Sequence, residues 1–177
     1  VPLFLAASAL KEARRAVLKI FLHSFIAFLL YNIGTTWWIW NSTEIGAILA
    51  FLVNSLLMSG AFTLGFALFR APRFSNLHSK DLSLYIGLAL VWVIFEFAHF
   101  RWELSWPWLT LGHVFSLQPS WVQWYEYTGV LGGTLWVLAV NILITMMVRS
   151  KERNFKMLIT IASALVVPVV ISLFILS

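Results

Sequence analysis

WELSWPWLTLGHVFSLQPSWVQWYEYTGVLGG, Trp102 to Gly133, lies between two hydrophobic runs and cannot itself be one. Pro107 removes a backbone donor and pushes Trp106 away from the α region, so Ser105-Trp106-Pro107-Trp108 is not mid-helix. Gln118-Pro119 reads as a fresh start, with Pro at the first helical position. After it Ser120, Gln123 and Glu126 recur every third residue, with Trp121, Val122, Trp124 and Tyr125 between them. That spacing predicts a short amphipathic helix over Trp121–Tyr127, lying in a membrane interface. Gly129, Gly132 and Gly133 then open the next hydrophobic run, where small residues let helices approach closely.

Outward from this stretch the chain is 61% hydrophobic and only 11% charged over its 177 residues. A soluble domain carries about 25% charged residues. The apolar residues come in long runs separated by short basic clusters, the pattern of an all-α, polytopic transmembrane helix bundle. Five complete spans are expected, at about 18–40, 45–69, 82–100, 128–148 and 157–176, with an outward loop at 101–127. Each is near the 20 residues a helix needs to cross a bilayer, and only a helix satisfies its own backbone in lipid. Val1 to Leu10 is apolar but too short to cross, and reads as the partial tail of an earlier span. Ile171 to Ser177 ends on an apolar run, so residues 1–177 read as a transmembrane fragment of a longer chain.

Charge sets the expected orientation. Lys11, Arg14, Arg15 and Lys19 form one cluster, Arg70, Arg73 and Lys80 a second, and Arg149, Lys151, Arg153 and Lys156 a third. Five alternating spans place all of these, 11 of the 12 Lys and Arg, on one side, leaving Arg101 on the other. The positive-inside rule makes the rich side cytoplasmic and turns the 101–127 loop and the C-terminal end outward. The net charge of +5 is then a property of membrane-facing loops, not a sign of nucleic acid. Trp37, Trp38, Trp40, Trp102, Trp106, Trp108, Trp121 and Trp124 all fall at or beyond outer span ends, as an aromatic belt would.

Glu96 stands inside the third span, about one turn from its outer end. His99 follows at i+3 and Glu103 at i+7, on one helical face with Trp92. A carboxylate at membrane depth is costly and usually faces protein or water. Glu96 therefore either orders the outer loop or meets a polar headgroup, or else bonds a loop backbone group or His113 for structural reasons alone. His23, Asn32, Asn54 and Asn141 read as interhelical hydrogen-bonders. Pro168 breaks the fifth span's hydrogen-bond ladder, which is tolerated where a neighbour satisfies the freed carbonyl. Cysteine is absent, so disulfides, thiolate metal sites and a cysteine nucleophile are excluded within these residues. Glu96, His99 and His113 could suggest a metallo- or glutamate-dependent hydrolase, but they lack the paired-His spacing of a metal helix. No metal, cofactor or catalytic residue is expected here.

These residues resemble a known family, the bacterial apolipoprotein N-acyltransferases. The resemblance rests on Trp92-x-x-x-Glu96-Phe97 and Trp106-Pro107-Trp108-Leu109-x-x-Gly112. It continues through Gln123-Trp124-Tyr125-Glu126-Tyr127-Thr128-Gly129, Gly132-Gly133-x-Leu135-Trp136 and Asn141, and includes the earlier Asn32-x-Gly34-x-x-Trp37-Trp38. It implies an inner-membrane enzyme that moves an acyl chain from a phospholipid donor to the α-amino group of a diacylglyceryl-modified apolipoprotein. It implies further that this chain is similar to the third to seventh spans of that family. The chemistry would lie in a following nitrilase-like domain with a Glu-Lys-Cys triad, which has no counterpart here. Where many members have Gly-Phe-Pro-Trp, this chain has Ser105-Trp106-Pro107-Trp108. His113 replaces a usual Tyr or Asn, and His99 lies near a usual Arg. The residues expected to bind substrate, or to floor the active site, are Glu96, Trp106, Pro107, Trp108, Gly112, His113, Trp124 and Glu126. The alternative is a non-enzymatic lipid- or substrate-binding membrane module without the catalytic domain.

Overall fold

Apolar runs this long bury their backbone polar groups only by coiling, and among the described residues they do so. The computed structural model describes residues 1–70, 80–103, 105–150 and 155–176. Among them are six α-helices: α1 (Pro2–Leu10), α2 (Ala16–Thr36), α3 (Glu44–Phe69), α4 (Lys80–His99), α5 (Tyr125–Arg149) and α6 (Phe155–Leu176). Short 3-10 turns lie at Trp37–Asn41, between α2 and α3, and at Pro107–Leu109, Leu111–Phe115 and Pro119–Trp121, between α4 and α5. The five helices α2 to α6 are long and apolar enough to cross a membrane, so the expected all-helical, multi-pass architecture is the one observed. Arg73, Lys151 and Arg153 of the basic clusters lie outside the described residues.

The chain falls into two units, with the boundary inside α4. The first, Pro2–Trp92, is built on α2 and α3. Its core holds Phe4, Ile20, Phe62, Phe66, Leu84, Tyr85 and Leu88, all buried. Phe28 stacks on Trp92 with ring centres 5.2 Å apart, and Phe4 meets the Tyr85 ring at 5.5 Å. Buried asparagines bridge α2 and α3: Asn54 Nδ2 donates to Asn32 Oδ1 at 2.7 Å, and Asn32 Nδ2 donates to the Phe28 carbonyl at 2.8 Å. The expected interhelical role holds for this pair. It does not hold for His23, whose ring bonds the Lys19 carbonyl of its own helix. At Gly65 a side chain would press on Leu88 and Val91, so the missing Cβ lets α3 and α4 close up. Lys11 reaches Asp81 at 2.7 Å and ties the end of α1 to the first turn of α4. In the turn after α2, Trp37, Trp38 and Trp40 face outward while Ile39 is buried, which suits an aromatic belt.

The second unit runs from Val93 to Ser177 and includes Val1. Two breaks shape it. Gly129 takes φ 65°, ψ −177°, so α5 is a short first piece followed by the long helix. Such a backbone is open essentially to glycine alone. In α6, Pro168 cannot donate to the carbonyl four residues earlier, Ala164. The Trp136 indole N–H donates to that same carbonyl at 2.6 Å, so α5 makes good the bond that α6 lost.

Two expectations fail here. Trp121–Tyr127 is not one helix. Pro119–Trp121 is a 3-10 turn, Val122 to Trp124 are not helical, and the helix begins at Tyr125. Its backbone groups are claimed from afar: the Gln123 N–H donates to Ser172 Oγ at 3.0 Å, and Ser172 Oγ donates to the Trp121 carbonyl at 2.7 Å. Glu103 is not on the α4 face either, because α4 ends at His99. Trp92, Glu96 and His99 are buried, whereas Glu103 is exposed.

Candidate functional site

Glu96 is the pivot of the loop. It sits three residues before the end of α4 and is 4% exposed. Its Oε1 accepts the Leu111 N–H at 3.0 Å, and its Oε2 accepts the Thr134 hydroxyl at 2.5 Å. Thr134 Oγ1 in turn accepts the Gly112 N–H at 3.1 Å. A single carboxylate thus satisfies two consecutive loop amides, one directly and one through a hydroxyl on α5. Bonds to a charged acceptor are worth about 1.5–3 kcal/mol each, which offsets part of the cost of a carboxylate at this depth. Among its partners are the Leu111 backbone and the Thr134 hydroxyl. His113 turns away to the Pro107 carbonyl, with Nδ1 2.8 Å from that oxygen.

Glycine lets the loop come this close. A side chain at Gly112 would strike the Val130 carbonyl, and one at Gly133 would strike the Tyr125 hydroxyl. Through the space left at Gly133, the Tyr125 hydroxyl donates to the Gly112 carbonyl at 2.9 Å. Both backbone groups of Gly112 are therefore engaged by α5. The loop is held again further along by Ser172 on α6. Aromatic packing fills in between: Phe115 stacks on Trp136 at 4.5 Å, and Trp124 meets Trp136 edge-on at 5.7 Å.

His99 accepts the Trp102 indole N–H at Nδ1, 2.9 Å away, which leaves the proton of the neutral ring on Nε2. That Nε2 and the Trp124 Nε1 are buried without a protein partner. The Arg101 guanidinium lies over the Phe97 ring at 4.2 Å, a cation–π contact at the C-terminal end of α4.

Of the residues singled out in sequence, the structure brings Glu96 and Gly112 into one network and places His113 on Pro107. Trp106, Pro107 and Trp124 are half-buried, Trp108 is 66% exposed, and Glu126 is exposed. Thr134, Leu111 and Ser172 were missed. Tyr125 and Trp136 stood in the quoted motifs but were given no role. The clue for these two was the glycine pair beside them, since a glycine within a span marks a place where something else must fit. Among the described residues, no three His, Asp or Glu side chains gather closely enough to hold a metal ion. What the arrangement can do is hold a loop at fixed height and angle on a helix bundle.

The apolipoprotein N-acyltransferase N-terminal domain family matches residues 1–143. The apolipoprotein N-acyltransferase of Chlorobaculum tepidum is 27% identical over 132 residues, covering 75% of this chain. The chain spans 24% of that relative's length. No solved structure matches it. The family match runs through two of the three spans that hold the loop, from Glu96 on α4 to Tyr125, Gly133 and Thr134 on α5, and the chain belongs to the apolipoprotein N-acyltransferase family as its N-terminal membrane domain.

Proposed function

We propose that this chain is the part of an N-acyltransferase that positions lipid-anchored substrates at the outer face of a bacterial inner membrane. The donor is a phospholipid, and the acceptor is the N-terminal amine of a diacylglyceryl-modified apolipoprotein. The observation that carries this reading is the Glu96-centred clamp on Leu111 and Gly112 within a family-matched segment. Both substrates are confined to a surface, and their reactive groups must meet at one height above it. A rigid platform supplies proximity and orientation, which alone can lower a barrier by several kcal/mol. The residues of the loop floor are Trp106, Pro107, Trp108, Gly112, His113, Trp124 and Glu126, with Glu96 as the positioning residue beneath them. The basic clusters hold the opposite face at the cytoplasm.

The test is acyl transfer by the full-length protein reconstituted with phospholipid and a diacylated acceptor peptide. Glu96→Ala should lower kcat by ten-fold or more with insertion into membranes unchanged. Glu96→Gln keeps one acceptor oxygen and should fall between. Wild-type rates in Glu96→Ala, at equal amounts of inserted protein, would remove the clamp from catalysis.

A further inference from the structure

Residues 119–128 form their own run of hydrogen bonds. The Val122 and Glu126 N–H groups donate to the Pro119 and Gln123 carbonyls at 3.2 and 3.1 Å, and the Thr128 N–H donates to the Trp124 carbonyl at 3.3 Å. The Gln123 side chain adds a bond to the Pro119 carbonyl at 2.9 Å. Among the described residues, two hydroxyls carry the side-chain bonds that tie this run to other elements. Ser172 on α6 holds the backbone of Gln123 and Trp121, and Tyr125 holds the Gly112 carbonyl. We infer that residues 119–128 are a strap that lifts off the long part of α5 as one piece about Gly129, with the Ser172 hydroxyl as its latch. Such a movement does not depend on acyl transfer.

The hinge is Gly129. Gly112 and Gly133 are glycines for want of space, since a side chain at either would strike a neighbour. At Gly129 a side chain would meet nothing, so only its φ of 65° calls for glycine. A position required for its backbone and not for its packing is one where the chain can turn without disturbing neighbours. At the other end Leu117 is 90% exposed, so little packs against the chain there either. The seat is a shelf of glycine. A side chain at Gly132 would strike Thr128 and press on the Trp124 ring, and one at Gly133 would strike the Tyr125 hydroxyl. The strap thus rests on bare backbone and can leave it without unthreading side chains. The latch is one atom. Ser172 Oγ makes both of its loop bonds one turn beyond Pro168, where the proline has removed a rung of the α6 ladder. Both bonds are lost together when that end of α6 shifts.

The closed position is also incompletely satisfied. Trp124 Nε1 is buried there without a protein partner. A buried donor left unpaired costs free energy, and lifting the strap returns it to water. Val122, buried in the closed strap, is uncovered at the same time. The Trp124 ring finds an apolar body and a wet edge together at a membrane interface, which is where indoles settle. These terms narrow the free-energy gap between closed and lifted states. Leu111 and Gly112, by contrast, are held by the buried Glu96 carboxylate and by Thr134, and share nothing with the Ser172 latch. Lifting therefore uncovers the Gly112 carbonyl and the glycine shelf while the Glu96 clamp stays shut.

The experiment measures distances by electron paramagnetic resonance in the full-length protein in nanodiscs, with nitroxides on p-acetylphenylalanine at positions 114 and 127. Val114 and Tyr127 are both exposed, one on the turn that carries Gly112 and one on the strap. Ser172→Ala should raise the ratio of long to short 114–127 distances by about ten-fold or more, the scale set by losing two hydrogen bonds to backbone. Gly132→Ala leaves the latch intact and pushes the strap off its seat from a different helix, and should populate the same longer distance. A second label pair at Val114 and Leu135, neither on the strap, should keep its wild-type distances in both variants. An unchanged 114–127 distribution in the two variants would overturn the strap. Lengthening of both label pairs together would also overturn it, because the loop would then be loosening as a whole.

Discussion

Thr134 shows how much of the loop's geometry rests on one hydroxyl. It donates to Glu96 and accepts from Gly112 at once, fully buried. Replacing it by Val keeps the shape, removes a donor to a buried carboxylate and orphans a buried amide. Each such loss costs about 1–3 kcal/mol. Thr134→Val should therefore lower the thermal midpoint of the detergent-solubilised protein by several degrees, while Thr134→Ser should leave it near wild type; equal midpoints for the two variants would show that the hydroxyl carries no weight. Glu96 was legible in sequence because a carboxylate inside a span demands a partner. Thr134 was not, because a hydroxyl beside two glycines has no charge and no periodicity to mark it. His113 was legible as a polar loop residue, but nothing in the sequence said that Pro107 would hold it rather than Glu96.

At the scale of elements, the pairing of Pro168 with Trp136 is a compensation between two helices. The carbonyl that Pro168 leaves without its usual donor is the one the Trp136 indole reaches. Trp136→Phe alone should destabilise by about 1–3 kcal/mol, because it leaves the Ala164 carbonyl unsatisfied in an apolar setting. In a Pro168→Ala background the helix supplies its own N–H, and the same substitution should cost well under half as much. A double-mutant cycle by chemical or thermal denaturation in detergent measures this difference; strict additivity would refute the compensation. The presence of five long apolar helices followed from the hydrophobic runs, since length and the absence of charge leave little choice in lipid. The Trp121–Tyr127 segment misled for a physical reason. Its every-third-residue polar pattern is local, but its conformation is decided by Ser172, 49 residues further along the chain. Helix periodicity carries no signal for a hydroxyl on another span.

Across the whole molecule, the distribution of Lys and Arg makes a prediction about sidedness that the helices alone do not. The chain lacks cysteine, so single cysteines report cleanly within it. Leu117, 90% exposed in the loop, should react as Leu117→Cys with a membrane-impermeant maleimide added to cells with a permeabilised outer envelope. Ser150→Cys, exposed just beyond α5, should react only after the inner membrane is opened. The reverse pattern would invert the topology and place the Glu96 clamp at the cytoplasm. The loop itself is anchored to three spans at once: to α4 through Glu96, to α5 through Thr134 and Tyr125, and to α6 through Ser172. Its shape is consequently not portable. A peptide covering residues 105–124 would lose every one of these outside partners and keep only its own short turns, and a graft of those residues onto a different bundle would carry the motif without the form. Variation within this loop is thus coupled to variation on three helices, and the unit that can be exchanged between relatives is the loop together with the spans that grip it.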